Sequence, residues 1–127
     1  MIVRTLEEIT GTAMDVSGPG WQSRRLLTRP DGMGYTMTDT IIRAGAEMVL
    51  EYANHLEACY CISGEGDVRC EATGVVHPIR PGTLYALDQH DRHTLRCAPQ
   101  GDMRLICCFT PALTGTERHG ASGGYES

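Results

Sequence analysis

No apolar run in these 127 residues approaches the roughly 20 that a membrane-spanning helix needs. The start, Met1-Ile2-Val3-Arg4-Thr5-Leu6, also lacks the apolar segment of a secretory signal. A cytoplasmic protein with no membrane partner is therefore expected. Basic charge is not in excess either: 16 acidic and 11 basic residues give a net charge of −5, without a long run of either sign. That balance argues against nucleic acid as a partner, because phosphate binding needs a concentrated basic face. The six cysteines (Cys59, Cys61, Cys70, Cys97, Cys107 and Cys108) form no CxxC pair. The ligand spacing of a structural zinc site is thus missing, and the thiols read as small, reduced core residues. Internal repeats and low-complexity linkers are absent as well.

What is present is one domain's worth of short β-prone runs separated by turns. A chain of this size buries about two-thirds of the surface its unfolded form exposes, so no disulfide staple is needed. The first nine residues suggest a short strand followed by a helical turn, with Thr5 and Glu8 at capping-box spacing. Further β-rich runs are Tyr35 to Ile42, Met48 to Tyr52, Ala58 to Ile62, Asp67 to Ala72, Val75 to Ile79, Thr83 to Leu87, Thr94 to Cys97 and Met103 to Phe109. Turn signals stand between them, among them Pro30-Asp31-Gly32, Gly64-Glu65-Gly66, Thr73-Gly74 and Pro81-Gly82. This spacing is that of an all-β sandwich or small barrel. The segment from Gly115 to Ser127 is polar and Gly-rich, and it is expected to be mobile.

Two polar groups each border a β-prone run: Asn54-His55-Leu56-Glu57 and His90-Asp91-Arg92-His93. Glu57 leads directly into Ala58-Cys59-Tyr60-Cys61-Ile62, so its carboxylate sits where a strand enters the core. A carboxylate there must be hydrogen-bonded, paired with a charge or bound to a metal, since burying it alone is too costly. Trp21 is the only tryptophan and follows Gly18-Pro19-Gly20. It either packs the edge of a small core or, with Arg24 and Arg25 nearby, lines a pocket for a carboxylate ligand. Read alone, Tyr85 is a core aromatic, and Glu117 and His119 are solvated tail residues.

Gly45, Glu57 and Gly64 fall on the spacing of the first cupin motif, and Gly82 and His93 on the second. Departures accompany the matches. Glu51 and Ala53 replace the first motif's two histidines, while Asp88, His90 and Cys97 stand where Pro, Gly and Asn are usual. A three-His-one-Glu centre therefore cannot be built.

Over its whole length the sequence resembles one cupin family, the ectoine synthases. The resemblance is carried by Met1 to Ile9, Gly18 to Leu27, Asn54-His55-Leu56-Glu57-Ala58, Gly64-Glu65-Gly66, Pro81 to Asp88, His90-Asp91-Arg92-His93, Asp102 to Leu105 and Pro111 to Gly115. It implies a single cupin domain over residues 1–127, a double-stranded β-helix or jelly-roll barrel with short helical turns. It also implies a metal set of Glu57, Tyr85 and His93, holding Fe(II) or alternatively Zn(II). The family's substrate pocket maps onto Trp21, Arg25, Thr40, Tyr52, His55, Phe109, Glu117 and His119. Within that set the resemblance gives Arg25 the substrate carboxylate, and Glu117, His119, His55 and Tyr52 the catalytic roles.

The implied reaction is hydro-lyase chemistry: cyclisation of N-gamma-acetyl-L-2,4-diaminobutanoate to ectoine with loss of water. A homodimer is implied too, consistent with the exposed edges of a small sheet. Two other readings remain open at this stage. One is a cupin that binds a metabolite without catalysis, supported by the missing histidine pair, and the other is a cupin isomerase or epimerase.

Overall fold

The computed structural model describes residues 1–120 and 123–124. Its ten strands are β1 (Asp15–Gly18), β2 (Trp21–Leu27), β3 (Thr36–Ile42), β4 (Glu47–Leu50), β5 (Leu56–Ser63), β6 (Gly66–Cys70), β7 (Val76–Ile79), β8 (Leu84–Leu87), β9 (His93–Cys97) and β10 (Met103–Thr110). They form two antiparallel sheets, ordered β1-β2-β3-β10-β5-β8 and β4-β9-β6-β7. The β-rich runs of the sequence thus become strands, and the fold is the mostly-β double sheet that the spacing of turns indicates.

Side-chain alternation decides which residues face the interior. Along β10, Met103, Leu105, Cys107 and Phe109 are buried, while Arg104, Ile106 and Cys108 alternate with them on the outer face. On β5 the inward positions are Glu57, Cys59 and Cys61. The two strands pair directly, with Glu57 opposite Phe109 and Cys59 opposite Cys107. Residues two apart on a strand share a face, so this register puts a carboxyl and two thiols on one patch of the inner wall. The core between the sheets is completed by Leu50, Val68, Ile79, Leu95 and Leu105.

Local chemistry explains the connections. Gly64, at the β5–β6 turn, has φ +81°, and a Cβ there would collide with the Asp102 carbonyl oxygen. Pro78 lies in β7, an edge strand, where a missing amide leaves no central ladder bond unmade. On the outer face of β3, Asp39 accepts hydrogen bonds from Arg24 (2.7 Å) and from Arg104 Nε (2.8 Å).

The start of the chain departs from expectation. Met1, Ile2 and Val3 are exposed and form no strand. β-propensity needs a neighbouring strand to pair with, and Arg4 is instead tied to Asp31 at 2.7 Å. The helical turn does form, as α1 (Leu6–Ile9), capped reciprocally by Thr5 and Glu8. No helix of the described residues is long and apolar enough to cross a membrane.

Within the segment expected to be mobile, residues 121–122 and 125–127 lie outside the described residues. Residues 115–120 fold back across one end of the double sheet. Arg25 donates to the carbonyls of Gly115 (2.9 Å) and Glu117 (2.7 Å).

Candidate active site

Both sheets supply the site. Glu57 on β5 and Tyr85 on β8 come from the six-stranded sheet, while His93 opens β9 of the other. Between the sheets lies a small cavity of about 30 Å³, lined by Trp21, Thr40, Glu57, Tyr85, Phe109 and His119 among others. That is room for about two waters. A wider groove of about 660 Å³ opens between the edges β7 and β8 and reaches Tyr85 and His93 from outside.

Glu57 is buried, and among the described residues no cationic side chain pairs with it. Desolvation lifts its carboxyl to about 7, against hydrogen bonds with Cys59 and Cys107 that lower it. The Tyr85 phenol is pushed well above its ordinary range, first by burial and then by neighbouring Cys59, Glu57 and Cys107. Glu57, Cys59 and Cys107 bring their ligand atoms within 4.8 Å of one another, close enough to converge on one ion.

His93 is 1 % exposed and oriented by its backbone partner. Its Nδ1 donates to the Asp91 carbonyl at 2.8 Å, which leaves the lone pair on Nε2. Among the described residues Nε2 has no hydrogen-bond partner. A buried imidazole with one nitrogen fixed by a carbonyl and the other lone pair open is the arrangement metal-binding histidines adopt. Burial also depresses its pKa, which keeps the ring in the neutral form a metal needs. The residues present therefore fit a divalent metal: two oxygen acids in a buried place that lacks a counter-charge, and an imidazole ready to donate.

Around this centre stand the pocket residues read from the sequence. Tyr52, after β4, shares a 2.8 Å hydrogen bond between its hydroxyl and His119 Nε2. Its ring meets Phe109 edge-on at 5.3 Å. His119 also packs against Trp21, with ring centroids 4.7 Å apart. Burial lowers the His119 pKa to about 4, helped by the Arg25 charge and by His93, so the ring is neutral at neutral pH. Thr40 on β3 hydrogen-bonds Thr38 through their hydroxyls at 2.9 Å. His55 is buried beside Phe109, ring centroids 6.3 Å apart, and burial lowers its pKa.

Two residues occupy places that the sequence leaves open. Arg25 is 1 % exposed and holds the tail through the carbonyls of Gly115 and Glu117. The Glu117 carboxylate accepts the amides of Thr114 (2.7 Å) and Gly115 (2.8 Å). Desolvation would raise its pKa, but those backbone bonds outweigh it and hold the pKa below the ordinary value.

Three contributors are missed by the sequence reading. Cys59 and Cys107 read there as core filling, yet they stand beside Glu57; the signal available was that Cys59 follows Glu57 by two residues on a strand. His90 has φ +54° and occupies the position where the second cupin motif has Gly, the residue that adopts this conformation freely. Its Nδ1 donates to the carbonyls of Tyr52 (2.7 Å) and His55 (3.1 Å), fixing the loop that bears both side chains.

Comparison with known proteins agrees with this architecture. The family model for ectoine synthase matches residues 1–127. The chain is 56% identical over 126 residues to an L-ectoine synthase of Desulfosudis oleivorans, covering 99% of this chain and 97% of that protein. The crystal structure of an ectoine synthase from P. lautus superposes with a TM-score of 0.85 at 50% identity, over 91% of this chain and 81% of that one. A cupin 2 conserved barrel domain protein from Salinispora arenicola shares the fold, with a TM-score of 0.67 at 15% identity, covering 87% and 88% of the two chains. A whole-length family match and a relative more than half identical, on a cupin double sheet, lead to one conclusion: the chain belongs to the ectoine synthase family.

Proposed function

We propose that the chain closes N-gamma-acetyl-L-2,4-diaminobutanoate to ectoine at a metal centre held by Glu57, Tyr85 and His93. The observation that carries the metal assignment is the open lone pair on His93 Nε2, buried and pre-aimed by the Asp91 carbonyl. In the reaction the free α-amine forms a bond to the acetyl carbonyl carbon. The carbonyl oxygen then leaves as water after taking up protons, and a six-membered cyclic amidine remains. A divalent ion there, Fe(II) with Zn(II) as the alternative, would supply Lewis acidity and a template for the folded substrate.

The protein's own residues supply the rest. The walls formed by Trp21, Thr40 and Phe109 exclude water that would oppose dehydration and hold amine and carbonyl within reach. Arg25 provides the positive charge for the substrate carboxylate when the tail carbonyls of Gly115 and Glu117 that it holds move away. Proton transfer falls to His119, neutral and hydrogen-bonded to Tyr52, with His55 in reserve. The Glu117 carboxylate is engaged by two tail amides, so its part in proton transfer requires that turn to open.

A cavity of about 30 Å³ is far smaller than the several hundred Å³ of ordinary ligand pockets. Admission of substrate therefore involves the tail residues Glu117 and His119 lifting away, with closure completing the site. Six free thiols support a cytoplasmic setting. An outward apolar band of Leu56, Tyr60, Ile62 and Leu84 supports a homodimer, since such residues are seldom left in water together.

The test is metal analysis of protein purified without oxygen, paired with a product assay on the acetylated diamine. Wild type should carry one divalent metal per chain and form ectoine. Glu57→Ala and His93→Ala should stay folded but lose metal and activity together. Normal metal content in both variants would remove these two residues from the site.

A further inference from the structure

We infer that Gly18 is a positioning residue: its missing side chain seats the Trp21 indole, and through that ring it sets where His119 of the tail docks. The inference rests on the proton-transfer role proposed for His119 and extends the site to a residue that touches no reacting atom.

The seat follows from strand pairing. β1 and β2 are joined by the two-residue turn Pro19-Gly20, where Gly20 takes φ +80°, and the register sets Gly18 directly opposite Trp21. Directly opposed positions share a face of the sheet, and their side chains meet. At Gly18 the indole fills the place of the absent one: a Cβ there would lie 2.6 Å from Cε2, Cζ2 and Nε1 of the ring. Ordinary carbon contacts are about 3.5 Å, so alanine would push the ring by about 1 Å. Gly18 itself lies in β1 and has no left-handed backbone that would demand glycine. Glycine in a strand gives up packing and backbone rigidity, and at this position the ring is the physical reason for it.

The ring passes the displacement on. Trp21 is 6 % exposed and lines the cavity, so water offers it no room and its neighbours take up the movement. One of those neighbours is His119, its ring centroid 4.7 Å from that of Trp21, which also shares the 2.8 Å hydrogen bond with the Tyr52 hydroxyl. The same hairpin holds the adjoining tail residue, since Arg118 donates to the Ser17 carbonyl. β1 and β2 thus dock the tail at two consecutive residues, one through a backbone carbonyl and one through an aromatic ring.

Amide exchange reads the dock without reference to activity. The amides of Gly115 and Gly120 are both hydrogen-bonded inside the tail. In Gly18→Ala they should exchange at least about tenfold faster than in wild type, at unchanged melting temperature. Turnover of the acetylated diamine should fall at least about tenfold in kcat, because a misplacement of about 1 Å is enough for that loss. A Trp21→Leu background supplies the control: leucine lacks the three ring atoms, so adding Gly18→Ala to it should change exchange by less than about twofold. Wild-type protection in Gly18→Ala would overturn the inference, as would an equal loss from Gly18→Ala in both backgrounds. Faster exchange with kcat unchanged would leave the seat standing and remove His119 from proton transfer. If Gly18→Ala does not fold, wild type decides through nuclear Overhauser contacts from the indole. Contacts to both the Gly18 α-protons and the His119 imidazole support the seat, and the absence of either overturns it.

Discussion

His90 shows how a single side chain can be worth more than the backbone strain it brings. Its φ of +54° is a conformation that glycine adopts freely, yet the ring holds the carbonyls of Tyr52 and His55 in place. Two substitutions separate strain from anchoring. His90→Gly should remove the strain and the anchor together, while His90→Ala removes only the anchor and should be less stable than the Gly variant by about 1 kcal/mol. Both should turn over more slowly than wild type, because the Tyr52–His55 loop loosens; equal stability of the two variants in thermal melts would remove strain from the account. Asp39 is a structural counterpart on the outer face, with Arg24 and Arg104 as partners. Asp39→Ala leaves the buried Arg24 without its carboxylate and should cost about 3–5 kcal/mol in denaturant unfolding, whereas a change within 1 kcal/mol would mark the pair as a solvated one. Motif spacing alone singled out Glu57 and His93 as candidates, whereas Tyr85 came only from the family resemblance. Cys59 and Cys107 were not legible, because their meeting depends on a cross-strand register between segments far apart in sequence.

At the scale of elements, β3 to β10 were readable from β-prone runs and turn residues while β1 and β2 were not, and the capping box at Thr5 and Glu8 formed as spaced. Strand formation at Met1 to Val3 was misread because propensity cannot stand in for a pairing partner. In the proposed reaction the tail is the element with the most functional weight. It is latched by Arg25 on two carbonyls and by the hydrogen bond between Tyr52 and His119. Truncation after Leu113 removes His119 and Glu117 and should leave metal binding nearly intact, while kcat falls at least about a hundredfold. A kcat within a few-fold of the full chain would confine the chemistry to the double sheet and shift proton transfer to His55. The latch also predicts a pH dependence. Docking lowers the His119 pKa from 6.5 to about 4, so the released tail binds the proton more readily than the docked one. Docking is therefore fully supported above pH 6.5 and weakens as pH falls toward 4. Amide exchange of residues 115–120, corrected for its intrinsic pH dependence, should show less protection at the acid end; equal protection at both ends would exclude His119 as the latch.

The proposed centre lies where the two sheets face each other, so it depends on both sheets being in place. Glu57 and Tyr85 come from one sheet and His93 from the other. Folding thus assembles the proposed donors, and a metal that binds only the assembled set would stabilise the folded state in turn. The central claim is that one metal ion in this centre makes ring closure possible. It is tested most directly by adding Fe(II) anaerobically to metal-free protein and measuring ectoine formed from the acetylated diamine at each equivalent. The account predicts negligible product without metal and a rate that rises to a plateau at one iron per chain. Full turnover by the metal-free protein, or a rate indifferent to added iron, would contradict it.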